Sequence, residues 1–343
     1  MKGFVNTNMI VLAREARGLN QNELAERINM SATNLSKIER GYIGISVETL
    51  EAISETTSFP RQFFHQPGEI MPETLSFRKR KIVAQKLIAP VNAYANITKK
   101  HIEFLKTGLE IDGPKLLTFR VTEEQTPADI AIKVRKLWSL PEGPIENLTE
   151  LLEKQGIAIM KLDFGTERID SRSISTDDNH PIICINNALL GDRLRFTLAY
   201  ELAQLVMHRF DDLPLDRDIS HEANAFASEF LMPKKDILKD FPHSITIPLL
   251  AQLKKKWKVS MIALLYRADD LGLLTPNQKR YLLQQFNQLQ IRRREPLELD
   301  IPVEQPRLIK QWIADYQAKT GLGMVHMSAL LCLNVDEFME LYV

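Results

Sequence analysis

The chain has 343 residues, too many for one small domain and enough for two or three. Its 44% hydrophobic and 26% charged residues are the balance of an ordinary globular protein, and 44 basic against 44 acidic residues leave no net charge. That excludes a basic glove for nucleic acid over the whole chain but not a small DNA-binding module within it.

Two cysteines, Cys184 and Cys332, exclude a disulfide framework and a cysteine-rich zinc site, and suit a reducing cytoplasm. No run approaches the roughly 18 uncharged apolar residues of a membrane span. Met1 to Ile10 lacks the pattern of a secretion signal. A cytoplasmic protein with no membrane partner is expected.

Residues 8 to 64 predict a run of short helices. Asn8 to Arg17 can bury Ile10, Leu12, Ala13 and Ala16, and Gly18 stops it. Gln21 to Ile28 is a second helix, with Leu24, Ala25 and Ile28 on one side. After the turn Asn29-Met30, Ser31 stands where an N-cap belongs, ahead of Ala32 to Glu39 with Leu35 and Ile38 inward. Gly41 ends that helix. Val47 to Ser54 follows Ser46, and Pro60 opens a last short turn.

Two short helices joined by a tight turn are the helix-turn-helix geometry. The strings Leu19-Asn20-Gln21-Asn22-Glu23-Leu24-Ala25-Glu26-Arg27-Ile28 and Leu35-Ser36-Lys37-Ile38-Glu39-Arg40-Gly41 resemble the Xre class of DNA-binding domains, that of phage repressors and Cro. The resemblance implies a double-stranded operator as partner and a homodimer on it. The third helix is expected in the major groove, offering Ser31, Ala32, Thr33, Asn34, Lys37 and Arg40. Asn34 suits adenine, Thr33 a thymine methyl or a phosphate, and Lys37 guanine or a phosphate. Gln21 and the second helix's N-terminus would fix the DNA backbone. Six basic residues face seven acidic ones in residues 1 to 60, so phosphate attraction is modest and dimerisation matters more.

Ser76-Phe77-Arg78-Lys79-Arg80-Lys81 is either a phosphate-contacting arm or the solvated start of a long helix from Lys79 to Gly108. Pro127 to Leu140 predicts another amphipathic helix, broken by Pro141-Glu142-Gly143-Pro144. Leu148 to Gln155 reads as helix. Ile157 to Leu162 and Pro181 to Asn186 read as strands, with polar hairpin-like material between them. Asp192 to His208 is a strongly amphipathic helix, and Glu222-Ala223-Asn224 leads to Leu231-Met232-Pro233.

This second region resembles the ImmA/IrrE zinc metallopeptidases, and the whole chain resembles members that fuse an Xre domain to such a peptidase domain. Active members carry His-Glu-x-x-His on the first of these helices, two imidazoles one turn apart that grip one ion. Here the five positions are Tyr200-Glu201-Leu202-Ala203-Gln204. Both imidazoles are gone, while the general-base glutamate survives as Glu201 and Glu222 matches the third ligand. A base without a Lewis acid has no activated water to use. No metal, no cofactor and no peptidase activity are expected, and Tyr200, Glu201, Gln204 and Glu222 are vestigial.

Tyr200 and Gln204 are expected to bridge the Glu201 and Glu222 carboxylates and fill the old metal volume. A metal site relocated onto Glu201, His208 and His221-Glu222 is the rescue, against His208 as a polar residue favoured by the helix dipole at its C-terminus. His180 and His243 sit beside prolines in loops and need no role.

The expected fold is mainly α with a small α+β zincin-like domain. The segments are 1–66 for DNA binding, 67–115 as helical linker, 116–245 peptidase-like and 246–343 a C-terminal helical region. That last region either packs on the peptidase-like fold or makes a dimer face, and Arg292-Arg293-Arg294 within it is read as solvated. The expected function is a transcription regulator, with an autorepressing antitoxin or phage regulator implied by the resemblance. An active metallopeptidase that cleaves a repressor, and a toxin-neutralising protein with incidental DNA binding, are the alternatives.

Overall fold

The computed structural model describes residues 4–70, 77–79, 83–114, 116–209, 217–241 and 244–343. In chain order it runs α1 (Thr7–Ala16), α2 (Gln21–Arg27), α3 (Ala32–Glu39), α4 (Val47–Thr57), a 3-10 turn (Arg61–His65), β1 (Phe77–Lys79) and α5 (Gln85–Leu109). Then follow α6 (Pro127–Leu137), α7 (Leu148–Lys154), β2 (Ala158–Leu162), β3 (Ile169–Ser175), β4 (Pro181–Asn186), α8 (Gly191–Met207), α9 (Ile219–Leu231) and α10 (Lys234–Ile237). The chain ends with α11 (Ile247–Trp257), α12 (Met261–Asp270), α13 (Pro276–Gln288), a 3-10 turn (Leu297–Leu299), α14 (Leu308–Thr320), α15 (Met324–Leu330) and α16 (Val335–Tyr342). The protein is mainly helical, with one small sheet and an N-terminal helix-turn-helix domain.

Two compact units are interleaved along the sequence. One holds Met1–Pro114, Gly156–Asn187 and Pro306–Val343, and the other holds Lys115–Gln155 and Ala188–Gln305.

In the first unit, local capping sets the helix ends. The Asn20 side chain accepts from Glu23 N–H while Glu23 returns to Asn20 N–H, a capping box that starts α2. Ser31 Oγ accepts from Asn34 N–H at 3.3 Å and starts α3. Asn29 at φ 53° makes the left-handed turn between them, and Gly41 at φ 73° stops α3.

A buried ion pair then fixes the three helices. Arg14 of α1 meets Glu39 of α3 through Nε at 2.7 Å and Nη2 at 3.3 Å, and Gln21 of α2 donates to the same carboxylate at 2.6 Å. Leu12, Leu24, Leu35, Ile38 and Ile53 close the core around it.

The sheet has the order β1-β3-β4-β2, antiparallel except for the parallel β2–β4 pair. Its third strand is the polar stretch taken above for hairpin material. Ile169-Asp170-Ser171-Arg172-Ser173-Ile174-Ser175 carries no apolar alternation because polar groups are what it buries. Arg172 is fully buried and donates to Asn92 of α5 at 3.0 Å. The basic stretch also differs from its expectation. Phe77–Lys79 pairs with β3, and α5 starts at Gln85 rather than Lys79. Residues 80–82 lie outside those described.

Helix α5 is the spine of this unit and packs on α1, β3 and α14. Its Lys99 and Lys106 reach Asp177 at 2.6 Å and Asp178 at 2.5 Å in the β3–β4 turn. His101 is buried between Tyr342 Oη at 2.6 Å and Leu331 O at 2.9 Å. Arg17 grips Glu337 of α16 through two 2.8 Å contacts, so the C-terminal helices are anchored to α1. His180, read above as a loop residue without a role, is buried edge-on to Trp312.

In the second unit, α8 is buried along nearly its whole length and packs on α9, which also packs on α6. Residues 291–305 hold α8 from its first turn. A Cβ on Gly191 would stand 2.2 Å from Ile301 O, so only glycine allows that approach. Lys254 joins Asp192 and Glu295 at 2.6 Å each, and Arg195 pairs with Glu304 and with Ile145 O at 2.5 Å. Arg267 of α12 pairs with Glu229 and donates to Met232 O at 3.0 Å, anchoring the end of α9. The C-terminal region is therefore divided. Its first part is tied to α8 by Lys254 and to α9 by Arg267, and α14 to α16 belong to the other unit.

Candidate functional sites

The first site is the outward face of α3. Leu35, Ile38 and Glu39 point inward, which leaves Thr33, Asn34, Lys37 and Arg40 exposed. The side chains of these four make no hydrogen bond or ion pair within the described residues. Ala32 is half-buried, and Ser31 is exposed as the N-cap. Gln21 is half-buried with its amide on Glu39, so it belongs to the frame of the motif as well as to its rim. Tyr42 and Ile43 follow α3 as exposed apolar residues, at 73% and 41% of their surface. The sequence reading had not singled them out.

The second site is the cleft between α8 and α9. Tyr200, Glu201 and Gln204 are all buried on α8, and Glu222 is half-buried on the first turn of α9. Tyr200 Oη lies 3.4 Å from Ser220 Oγ, a long contact. The Gln204 amide lies 3.0 Å from His208 Nδ1. His208 caps the C-terminus of α8, and its Nε2 lies 2.8 Å from Glu222 Oε2. Arg217, just ahead of the α9 N-cap Asp218, grips both Glu222 oxygens, Nε to Oε1 at 2.9 Å and Nη2 to Oε2 at 2.5 Å.

Glu222 is thus held by His208 and Arg217, partners that the sequence reading did not assign. Gln204 reaches that carboxylate only through the His208 ring. His221 is exposed and its backbone N–H serves the α9 cap, so it does not join the cluster. His243 lies outside the described residues.

The charges follow from this wiring. Burial raises the Glu222 carboxyl, but hydrogen bonds from Arg217 and His208 outweigh it and hold the group below its ordinary range. Burial lowers His208, against the pull of Glu222. Both ring nitrogens face oxygen acceptors, Nε2 the Glu222 carboxylate and Nδ1 the Gln204 amide oxygen.

A zinc ion held as the second resemblance implies does not fit these residues. A phenol and an amide stand where the resemblance would put two ligating imidazoles. Both oxygens of Glu222 are engaged by cationic or N–H donors. Among the described residues, no group of three or more His, Cys, Asp or Glu is placed to hold a metal ion.

Comparison with known families agrees with the two regions. Residues 10–64 match the helix-turn-helix family model, and residues 152–269 match that of the IrrE N-terminal-like domain, a peptidase family. The chain is therefore an Xre-type helix-turn-helix fused to an ImmA/IrrE-like domain. No curated protein matches it. Among the described residues no helix is long and apolar enough to cross a membrane.

Proposed function

We propose that this chain is a sequence-specific, DNA-binding transcription regulator of the cytoplasm whose peptidase-like domain is catalytically inactive and binds a partner or signal. The observation that carries the first half is the face of α3, where four polar side chains stand exposed and unengaged. Asn34 reads adenine, Thr33 and Lys37 flank it, and Gln21, Ser31, Ala32 and Arg40 border the same groove. Residues 1–66 read the operator and residues 116–245 bind the signal or partner. A homodimer places two such faces on an inverted repeat with half-sites about 34 Å apart. Tyr200, Gln204 and the occupied Glu222 support the second half. A neutral chain with this fusion suits an autorepressing antitoxin or a mobile-element regulator, with a toxin as the protein partner.

The test is selection of duplex DNA from a random pool, followed by binding titrations. Asn34→Ala should weaken binding to the selected sequence by about 1–3 kcal/mol and leave random DNA unaffected. Equal losses on both would reduce Asn34 to a phosphate contact. Failure to enrich any sequence would overturn the proposal.

A further inference from the structure

Both oxygens of Glu222 already accept hydrogen bonds, one on Oε1 and two on Oε2. Arg217 presents a planar fork to the carboxylate, the arrangement in which a guanidinium binds most strongly. His208 completes the set from the end of α8. The three side chains are withdrawn from water, at 20%, 15% and 2% exposure for Arg217, Glu222 and His208. The fork joins Glu222 of α9 to the residue that precedes its cap, and the imidazole ties that carboxylate to α8. This wiring does what a bound cation would do between the two helices: it neutralises a half-buried carboxylate and holds α8 to α9.

We propose that Arg217 is a built-in replacement for a metal ion, neutralising Glu222 and keeping divalent cations off that carboxylate. The proposal rests on the reading of this domain as an inactive peptidase fold. Two physical points support it. A divalent ion reaching Glu222 must displace both guanidinium bonds, and it meets a like charge within a few ångströms. The guanidinium is also part of the chain, so the neutralisation of Glu222 does not depend on metal supply. Gln204 assists by orienting His208, which explains an amide at a position where a metal site would require an imidazole.

The test compares full-length proteins stripped of metal. One is the wild type, one carries Tyr200→His with Gln204→His, and one carries both changes with Arg217→Met. Zinc affinity is read by competition with a chromophoric chelator, and folding by circular dichroism. With Arg217 present, the paired-histidine protein should bind zinc about 10–100-fold more weakly than the triple variant. Equal affinities would overturn the proposal while leaving the inactive-domain reading intact. Stoichiometric zinc in the wild type would overturn both.

Where the histidine variants fail to fold or bind no zinc, a double-mutant cycle decides. Arg217→Met should lower the melting temperature by about 2–4 °C in the wild type and by less than half of that in a Glu222→Gln background. Equal falls in the two backgrounds would show that Arg217 serves only as packing, and would overturn the proposal.

Discussion

The face of α3 and the cleft between α8 and α9 use similar side chains in opposite ways. Each has one amide and at least one strong cation. On α3, Asn34, Lys37 and Arg40 have no partner within the described residues and stand in water. In the cleft, Gln204, His208, Arg217 and Glu222 satisfy one another. The first surface leaves its hydrogen-bonding capacity open, and the second has spent its own on itself. Polar residue type alone therefore does not separate the two surfaces, whereas the state of satisfaction does.

The largest effect should come from the frame that presents the open face. Glu39→Ala leaves the Arg14 guanidinium buried without its carboxylate and also strands Gln21. Breaking such a buried pair costs about 3–5 kcal/mol, so chemical denaturation should show a destabilised helix-turn-helix and operator binding should be lost with it. Unchanged stability would mean that water replaces Glu39 and that the frame is looser than described.

Next is acid. Burial pushes His101 down to about 4, and its neutral ring donates to Leu331 O and accepts from Tyr342. An unfolded histidine titrates near 6.5, so the unfolded chain takes up a proton that the native ring refuses. Stability is complete above that pH and declines as pH falls towards 4, by about 3 kcal/mol in all. Denaturation midpoints followed from pH 7 to 4 should show this decline. His101→Gln should flatten it, and an unchanged slope in that variant would assign the loss to other groups.

The smallest effect on folding should come from the open face itself. Lys37→Ala removes an exposed side chain with no internal partner and should change stability by less than about 0.5 kcal/mol. Its operator affinity should fall, and the salt dependence of binding should lose about one unit of slope if Lys37 meets a phosphate. A loss of folding stability instead would erase the contrast between open and closed polar groups.

Much of the architecture was legible because its causes are local. Ala32–Glu39 lies where Ser31 and Gly41 place it, and β4 lies where Pro181 to Asn186 reads apolar. The basic run beginning at Arg78 misled because a three-residue edge strand has too little pattern to outweigh a helix-like charge run. Strand β3 was missed because Asp170, Ser171, Arg172 and Ser173 are buried between Ile169 and Ile174, and periodicity detects only apolar faces. In the cleft, Tyr200 and Gln204 could be read from sequence as standing where the resemblance implies two imidazoles. Arg217 could not be picked out, since an arginine ahead of a helix cap is ordinarily solvated. Its one available signal was its place just before Asp218, close enough in sequence to reach Glu222.

The sequence by itself determined the short helices, their caps and turns, the two family resemblances and the chemistry absent from positions 200 and 204. These depend on residues within a few positions of one another, where backbone preference and hydrogen bonding act directly. Only the tertiary structure decided which polar groups are spent and which remain open. Glu39 finds Arg14 across 25 positions, Arg195 finds Glu304 across 109 and Arg17 finds Glu337 across 320. Such pairs form because burial makes an unpaired charge costly, and burial is a property of the packed chain rather than of any segment of it.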